Sequence, residues 1–111
     1  MKRVQDVMTK SVFSTSPDAL VGEASQLAGD HDVNHLVVLD RERLVGVLCV
    51  CDLDAAHPYA PVSQAMSVPA VTIGLQVTLD DAARILRESR VGCLPVTESG
   101  KLIGIVSRGD L

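Results

Sequence analysis

The sequence predicts an α/β (α+β) fold built from two repeats, each with the element order β-α-β-β. Three observations predict it: an internal repeat without gaps, one amphipathic helix pattern per repeat, and one pair of apolar strands per repeat. The repeat is clearest at residues 44–53 and 102–111, which share an apolar pattern, a glycine and a terminal Asp-Leu. Two halves, residues 1–57 and 58–111, are expected to fold alike and to share one modest core.

Identical residues recur 58 positions apart along the whole chain. Many Val, Ile and Leu exchanges lie between the identities, and shared composition does not produce such a fixed offset. The identical pairs are Val4/Val62, Met8/Met66, Ala24/Ala82, Val33/Val91, Leu36/Leu94, Val38/Val96, Leu44/Leu102, Gly46/Gly104, Asp52/Asp110 and Leu53/Leu111.

Each half begins with a short β-prone piece, at residues 12–15 and 70–73, followed by turn residues and a helix. Apolar residues at helical spacing mark the helices, and Thr78 or Asp80 can cap the second one. These apolar residues are Leu20, Val21, Ala24, Leu27 and Ala28 in the first half and Leu79, Ala82, Ala83, Ile85 and Leu86 in the second.

Two strands joined by a polar turn follow each helix. They are predicted at residues 35–39 and 44–50 in the first half and at 94–97 and 102–106 in the second. Strands that are apolar on both faces suit a small sheet with helices on one side. The other face of each sheet is therefore expected to be covered by the other half of the chain. Residues 54–61 read as a short helical piece ended by proline and then a linker.

The composition argues against nucleic acid as a partner. The chain has a formal net charge of −4 and shows no basic stripe that could release counterions from a phosphate backbone. It also has one Phe, one Tyr and no Trp, so the aromatic platforms that stack single-stranded bases are missing.

Location and redox state follow from similar reasoning. No apolar stretch near the N-terminus resembles a secretory signal, and the longest apolar run, residues 44–51, is far too short to cross a bilayer. The cysteines are odd in number, three in all, and too sparse for a disulfide scaffold. We therefore expect a soluble, cytoplasmic protein without membrane insertion, whose cysteines are reduced.

Several short motifs join the repeat pattern: Asp-Val-Met at residues 6–8, Ser-Pro-Asp at 16–18, Leu-Pro-Val at 94–96 and Gly-Ile-Val-Ser-x-x-Asp at 104–110. In their order and spacing, over nearly the whole chain, they resemble a pair of cystathionine β-synthase (CBS) domains, often called a Bateman module. The resemblance implies a non-catalytic regulatory module whose repeats pack through their sheets about a pseudo-twofold axis.

The resemblance also implies a ligand and partners. Two clefts between the repeats would hold adenine nucleotides such as AMP, ADP or ATP, and less often S-adenosylmethionine. Such modules usually pair into homodimers, and a regulated enzyme or transporter is the expected partner. The family repeat normally continues into a second helix beyond the position of Leu111, so this chain is expected to be a truncated form.

By the same resemblance, the Ser-x-x-Asp turn faces ribose and phosphate, and residues around the first and second strands line the base. A carboxylate can accept from both ribose hydroxyls, a hydroxyl can donate to phosphate, and an arginine offers charge. The expected ligand-binding residues are Thr72, Ile73, Cys93, Leu94, Pro95, Ser107, Arg108 and Asp110.

The first repeat departs from this pattern. Cys49 stands where the second repeat has Ser107, and a thiol is a weak donor. Val50 and Cys51 replace Arg108 and Gly109. A second, weaker site is therefore expected, made of Ser14, Thr15, His35 and Asp52.

These residues also have structural interpretations. An aspartate after a strand is commonly a helix cap, which is the favoured interpretation of Asp52; for Asp110 capping is less expected, because the chain ends one residue later. Ser107 can equally be an ordinary turn hydroxyl. The soft ligands His31, His35, Cys49, Cys51 and Cys93 raise the alternative of a metal-binding or redox-responsive domain.

No catalytic motif is present, whether a Ser/His/Asp arrangement, a Walker-type loop or His-Glu-x-x-His. We therefore predict no enzyme activity, no metal site and no obligatory cofactor. The leading hypothesis is a regulatory module that senses an adenine nucleotide. A ligand-free dimerisation or protein-interaction module is the first alternative, and the metal- or redox-responsive domain is the second.

Overall fold

The computed structural model describes residues 1–111 and has a mixed α+β fold, as predicted. The helices are α1 (Val4–Val7), α2 (Val21–Asp30), α3 (Val50–Asp54) and α4 (Leu79–Ser89). The strands are β1 (Ser14–Thr15), β2 (His35–Asp40), β3 (Arg43–Cys49), β4 (Cys93–Glu98) and β5 (Lys101–Ser107). Single 3₁₀ turns lie at Val62–Gln64 and Arg108–Asp110.

The chain folds into two compact units whose boundaries differ from those of the sequence repeat. The continuous unit is Phe13–Pro69, and the split unit combines Met1–Val12 with Ala70–Leu111. The predicted boundary between residues 57 and 58 separates the two copies of the sequence repeat. As a domain boundary it stays a prediction. In the packing, the first twelve residues belong with the second half of the chain.

The continuous unit contains a three-stranded sheet in the order β1-β2-β3. Strand β1 pairs with β2 in parallel, and β2 pairs with β3 antiparallel, with a bulge between Val38 and Leu39. The sheet packs against α2 and α3. Its core side chains are Val21, Ala24, Ala28, Leu36, Val38, Leu48, Leu53 and Val62.

The split unit contains the antiparallel pair β4-β5, with a bulge at the equivalent position between Val96 and Thr97. The predicted strand at residues 70–73 is reduced to one parallel bridge from Ile73 to Val96. The core side chains are Val4, Ile73, Ala82, Leu86, Leu94, Val96 and Val106. Each unit thus has its own apolar cluster.

In both units, the second strand of the bulged hairpin pairs with a segment from the N-terminus of the other repeat. Thr9 and Ile105 exchange two backbone hydrogen bonds of 2.9 and 3.0 Å in the split unit. Ser67 and Val47 do the same at 2.9 and 3.1 Å in the continuous unit. The duplication is therefore kept, with the N-terminal segments exchanged.

In four of the helical segments, an acidic residue accepts a hydrogen bond from the backbone three positions earlier. The carboxylates of Asp6, Glu23, Asp52 and Asp110 accept from the backbone N–H of Arg3, Leu20, Cys49 and Ser107, at 2.8 to 2.9 Å. This contact satisfies a donor that a helix start leaves without a partner. Helix α4 begins differently, because Thr78 Oγ1 accepts from the N–H of Asp81 at 3.2 Å.

Two details of the helices differ from the sequence predictions. The helical piece predicted at residues 54–61 lies earlier, at α3, because the contact between Cys49 and Asp52 starts the helix directly after β3. Helix α1 was not predicted at all, since it has only four residues. None of the helices is both long and apolar enough to cross a membrane.

Both hairpins turn through left-handed residues. The central positions are Arg41 and Glu42 in the first, with φ of 51° and 69°, and Ser99 and Gly100 in the second, with φ of 51° and 80°. Two positive φ values in succession are typical of the type I′ turn, whose twist matches that of the flanking strands. The first hairpin makes this turn without the glycine that favours it.

Candidate functional site

The end of β5 carries the turn on which the sequence prediction rests, residues 107–110, here called the Ser107 turn. Ser107 donates its backbone N–H to Oδ2 of Asp110 at 2.9 Å. The Ser107 hydroxyl donates to the same oxygen at 3.4 Å, which is long for such a bond and easily given up. The hydroxyl and the carboxylate predicted to act together therefore lie in contact.

Part of this turn has no partner inside the chain. The carboxylate of Asp110 is half-buried, and its Oδ1 accepts no hydrogen bond. Arg108 is exposed, and its guanidinium makes no ion pair. One acceptor oxygen thus lies beside a serine hydroxyl, and an arginine is the next residue in the chain; these are the groups that a ribose and a phosphate would require.

The predicted base-lining residues lie on the neighbouring strand, where Cys93 is the register partner of Ser107. Thr72 is exposed, whereas Ile73 and Leu94 contribute their side chains to the core of the split unit. Cys93 and Pro95 are buried and lie outside that cluster. The backbone of Ile73 is occupied as well, because its N–H donates to Pro95 O at 3.0 Å.

The equivalent turn of the continuous unit, residues 49–52, is here called the Cys49 turn. The backbone N–H of Cys49 donates to Oδ2 of Asp52 at 2.9 Å, as in the Ser107 turn. In place of the serine hydroxyl, Cys49 Sγ accepts from the N–H of Cys51 at 3.3 Å. The turn keeps its backbone geometry but offers two thiols instead of a hydroxyl and an arginine.

The remaining residues of the predicted second site lie on the strands next to this turn. His35 is the register partner of Cys49, and it is half-buried. Ser14 and Thr15 form β1, where Ser14 pairs with Val37 and is exposed. His35 therefore lies directly beside the turn, whereas Ser14 and Thr15 reach it only across β2.

The thiol of Cys51 is electrostatically distinct. Its hydrogen bond to Cys49 raises the pKa of Cys51 above the ordinary thiol value, and the nearby charge of Asp52 acts in the same direction. Cys51 is exposed and Cys49 is half-buried. The Cys51 thiol therefore keeps its proton near neutral pH, although solvent reaches it.

The interpretation of the aspartates as helix N-caps was wrong, because the N-cap residues are Cys49 and Ser107. Neither Asp52 nor Asp110 is itself the cap, but each accepts a hydrogen bond from the first residue of its turn. The 3₁₀ turn Arg108–Asp110 gives Asp110 the same third position of a helical turn that Asp52 has in α3. A capping role leaves Oδ1 of Asp110 open, so it does not exclude ligand binding.

Two further features bear on the site. The structure contains no group of three or more His, Cys, Asp or Glu residues close enough together to hold a metal ion. An open depression of about 480 Å³ lies at the other end of β4. Sequence reasoning missed this feature, and Gly74 in the turn before α4 is its only signal. It is lined by Gly74, Leu75, Gln76, Val77 and Glu98.

Comparison with known families identifies the architecture. The family model for the CBS domain matches the chain twice, at residues 4–57 and 62–111. The chain belongs to the CBS-domain family. The two matches make it a tandem CBS pair, as the sequence resemblance suggested.

Relatives of this CBS pair occur both as small proteins and as parts of enzymes. It is 31% identical over 117 residues to the CBS domain-containing protein YhcV of Bacillus subtilis, covering 100% of this chain and 84% of that protein. It is also 31% identical over 113 residues to inosine-5'-monophosphate dehydrogenase of Korarchaeum cryptofilum, covering 100% of this chain but only 24% of the dehydrogenase.

Among solved structures, the CBS pair resembles CBSX2, which was crystallised in complex with AMP. The two are 32% identical with a TM-score of 0.78, and the match covers 97% of this chain and 91% of that one.

Proposed function

We propose that this CBS pair is a regulatory module that senses an adenine nucleotide, AMP, ADP or ATP, through the Ser107 turn. The observation that carries the proposal is the contact between Ser107 and Asp110, beside an open carboxylate oxygen and an unpaired guanidinium. The complex of the related CBSX2 with AMP supports the class of ligand. The protein has no obligatory cofactor and no catalytic role in this proposal.

Each residue of the Ser107 turn has a separate part in binding. Oδ1 of Asp110 accepts from the ribose hydroxyls, while Oδ2 continues to hold the turn through the N–H of Ser107. The Ser107 hydroxyl leaves its long bond to Asp110 and donates to a phosphate oxygen. Arg108 adds positive charge at the phosphate.

The base occupies the slot predicted from the sequence. Thr72 offers an exposed hydroxyl on the segment that pairs with β4, while Cys93 and Pro95 of β4 are buried behind it. With no aromatic side chain among these residues, stacking contributes little and the phosphate and ribose contacts dominate affinity. The cleft between the repeats and the weaker site at Ser14, Thr15, His35 and Asp52 remain predictions.

Regulation requires a partner. The dehydrogenase relative contains a CBS pair within a much longer enzyme chain, which supports an enzyme as the regulated partner. A homodimer and a cytoplasmic location are part of the same proposal. In the alternative, the module dimerises or binds a protein without any ligand, which is favoured by the use of both aspartates in capping contacts.

Isothermal titration calorimetry with AMP, ADP, ATP and S-adenosylmethionine tests the proposal. We expect wild type to bind at least one adenine nucleotide, and Arg108→Ala and Asp110→Asn to weaken that binding at least about tenfold, the loss of a charged hydrogen bond. Asn keeps an acceptor oxygen for the Ser107 N–H, so the turn itself survives the Asp110→Asn change.

The Cys49 turn provides a matched control. Asp52→Asn removes a carboxylate with the same capping contact, so it reproduces any effect on stability without touching the Ser107 turn. If Asp110→Asn leaves binding unchanged, the Ser107 turn is not the site. If no adenosine compound binds to wild type, the sensing proposal fails and the ligand-free interaction module is the function that is left.

A further inference from the structure

The two thiols of the Cys49 turn are placed against each other. Cys49 is the last residue of β3, and its sulfur folds back over the first turn of α3 to within 3.3 Å of the Cys51 backbone nitrogen. The Cys51 side chain forms a hydrogen bond with Cys49. The duplication makes this pair specific to one unit, since the equivalent positions of the split unit are Ser107 and Gly109.

The backbone between the two cysteines suits a covalent bond. Their Cα separation is set by the single residue Val50, which is the first residue of α3. Helical geometry puts residues two apart at about 5.4 Å, from a radius of 2.3 Å and a rise of 1.5 Å per residue. Disulfides span Cα distances of about 4.4 to 6.8 Å, so the Cα separation of this pair falls within the range of a disulfide.

From this geometry we infer that Cys49 and Cys51 are a site of reversible thiol modification, which low-molecular-weight disulfides convert to an intramolecular disulfide. Cys51 is exposed and Cys49 is half-buried, so Cys51 is the first to attack the added disulfide and Cys49 resolves the intermediate. The inference goes beyond the proposed function and does not depend on it.

The disulfide exchange takes place in two steps. The Cys51 thiolate attacks one sulfur of glutathione disulfide, which forms a Cys51–glutathione mixed disulfide and releases one glutathione. The Cys49 thiolate then attacks the Cys51 sulfur, which forms the Cys49–Cys51 bond and releases the second glutathione. Two electrons pass from the cysteine pair to the glutathione disulfide, and the two thiol protons end on the two glutathione thiols.

A metal ion is a weaker explanation of the same pair. Soft ions bound by proteins are usually held by three or four ligands, and the structure contains no group of three or more His, Cys, Asp or Glu residues arranged to hold one. Covalent modification needs only the two sulfurs. The third cysteine, Cys93, is fully buried, so it provides an internal reference that the small disulfide does not reach in the folded chain.

Oxidation changes the turn of the continuous unit and no other. The new bond draws Cys49 Sγ toward the Cys51 sulfur and so weakens the contact with the Cys51 N–H that helps to start α3. The backbone contact from Cys49 to Asp52 remains possible. The Ser107 turn lacks cysteine and keeps its hydroxyl and carboxylate in either redox state.

Mass spectrometry of the full chain tests the inference. The reduced protein is incubated with excess glutathione disulfide, quenched with acid, alkylated with iodoacetamide and mapped by peptide. We expect one peptide to contain Cys49 and Cys51 without their two thiol hydrogens and without alkylation, and dithiothreitol to restore both thiols. Cys93 is alkylated in full, but only after unfolding.

Two variants serve as controls. Cys51→Ser leaves the pair incomplete, and Cys49→Ser places the residue of the other repeat at that position, so its turn retains an acceptor for the Cys51 N–H. Neither variant forms the internal bond, and Cys49→Ser accumulates glutathione on Cys51. The inference is overturned if wild type accumulates glutathione on Cys51, forms a disulfide between two chains, or leaves both thiols open to alkylation.

Discussion

Gly104 lies so close to Met8 that a Cβ at Gly104 would stand 2.7 Å from Met8 Sδ. The equivalent pair repeats the relationship, since a Cβ at Gly46 would stand 3.0 Å from Met66 Sδ. In each unit, a methionine from an N-terminal segment fills the space that glycine leaves on the hairpin. These contacts fix the two exchanged segments to their sheets.

Substitution of either glycine is therefore expected to destabilise the protein. Overpacking of this kind costs about 1–3 kcal/mol of unfolding free energy. Gly46→Ala should cost more than Gly104→Ala, because its Cβ would also meet the backbone oxygen of Ser67 at 2.9 Å, whereas at Gly104 the nearest backbone oxygen, that of Thr9, is 3.1 Å away. Urea unfolding monitored by circular dichroism measures both.

A double-mutant cycle separates the side-chain clash from the backbone contact. Met8→Ala combined with Gly104→Ala should cost less than the sum of the single changes, with a coupling energy of about 1 kcal/mol. Strict additivity would mean that Met8 does not occupy the space beside Gly104.

A glycine in the first hairpin turn is predicted to raise the stability of the protein. Glu42 has a φ of 69°, where a non-glycine residue costs about 1–2 kcal/mol and the extra entropy of glycine about 0.5–1 kcal/mol. Glu42→Gly should therefore raise the unfolding free energy by roughly 0.5–1 kcal/mol. Thermal and urea unfolding provide the measurement.

The opposite change in the second hairpin is the control. Gly100 has a φ of 80°, so Gly100→Ala should destabilise by about 1 kcal/mol. Gly29 in α2 has ordinary backbone geometry and open space around it, so Gly29→Ala should stabilise by about 0.5–1 kcal/mol. If all three glycine changes moved stability in the same sense, the sign of φ would not be the cause.

Helix α4 depends on a single side-chain cap. Thr78 Oγ1 accepts from the N–H of Asp81, so Thr78→Ala should lower the unfolding free energy by about 1 kcal/mol, while Thr78→Ser should have little effect. Hydrogen exchange of the Asp81 amide localises the effect. Equal losses for the Ala and Ser variants would contradict the capping role.

The alkylation of Cys51 should depend on pH in a way that reflects its neighbours. The hydrogen bond to Cys49 raises the pKa of Cys51, so the protonated thiol persists to higher pH than in an isolated cysteine. Only the thiolate reacts, so the rate with iodoacetamide should rise with pH and reach half of its maximum above the ordinary thiol pKa.

Removal of the Cys49 thiol should shift the pH profile of Cys51 alkylation to lower pH. In Cys49→Ala the pKa of Cys51 falls toward its ordinary value, and Cys51 reacts faster near neutral pH than in wild type. Asp52→Asn should produce a smaller shift in the same direction, since its charge is a lesser cause. An unchanged profile in Cys49→Ala would show that the thiols are not in contact.

The candidate site was predictable in composition but not in internal geometry. The Ser-x-x-Asp spacing identified Ser107 and Asp110, which the structure places in contact. That the same carboxylate also holds the turn could not be read from the spacing, because a 3₁₀ turn as short as Arg108–Asp110 carries no periodic signal. Likewise, residues 93–95 read as a slot, whereas Leu94 belongs to the core.

The sequence alone determined the duplication, the two hairpins and the two longer helices, because apolar periodicity and turn residues act locally. Only the tertiary structure decided which N-terminal segment completes which hairpin. Met8 and Met66 are the same residue, as are Gly46 and Gly104, so local chemistry favours either pairing equally. The connections between the packed segments decide the pairing, and they place Met8 against Gly104 and Met66 against Gly46.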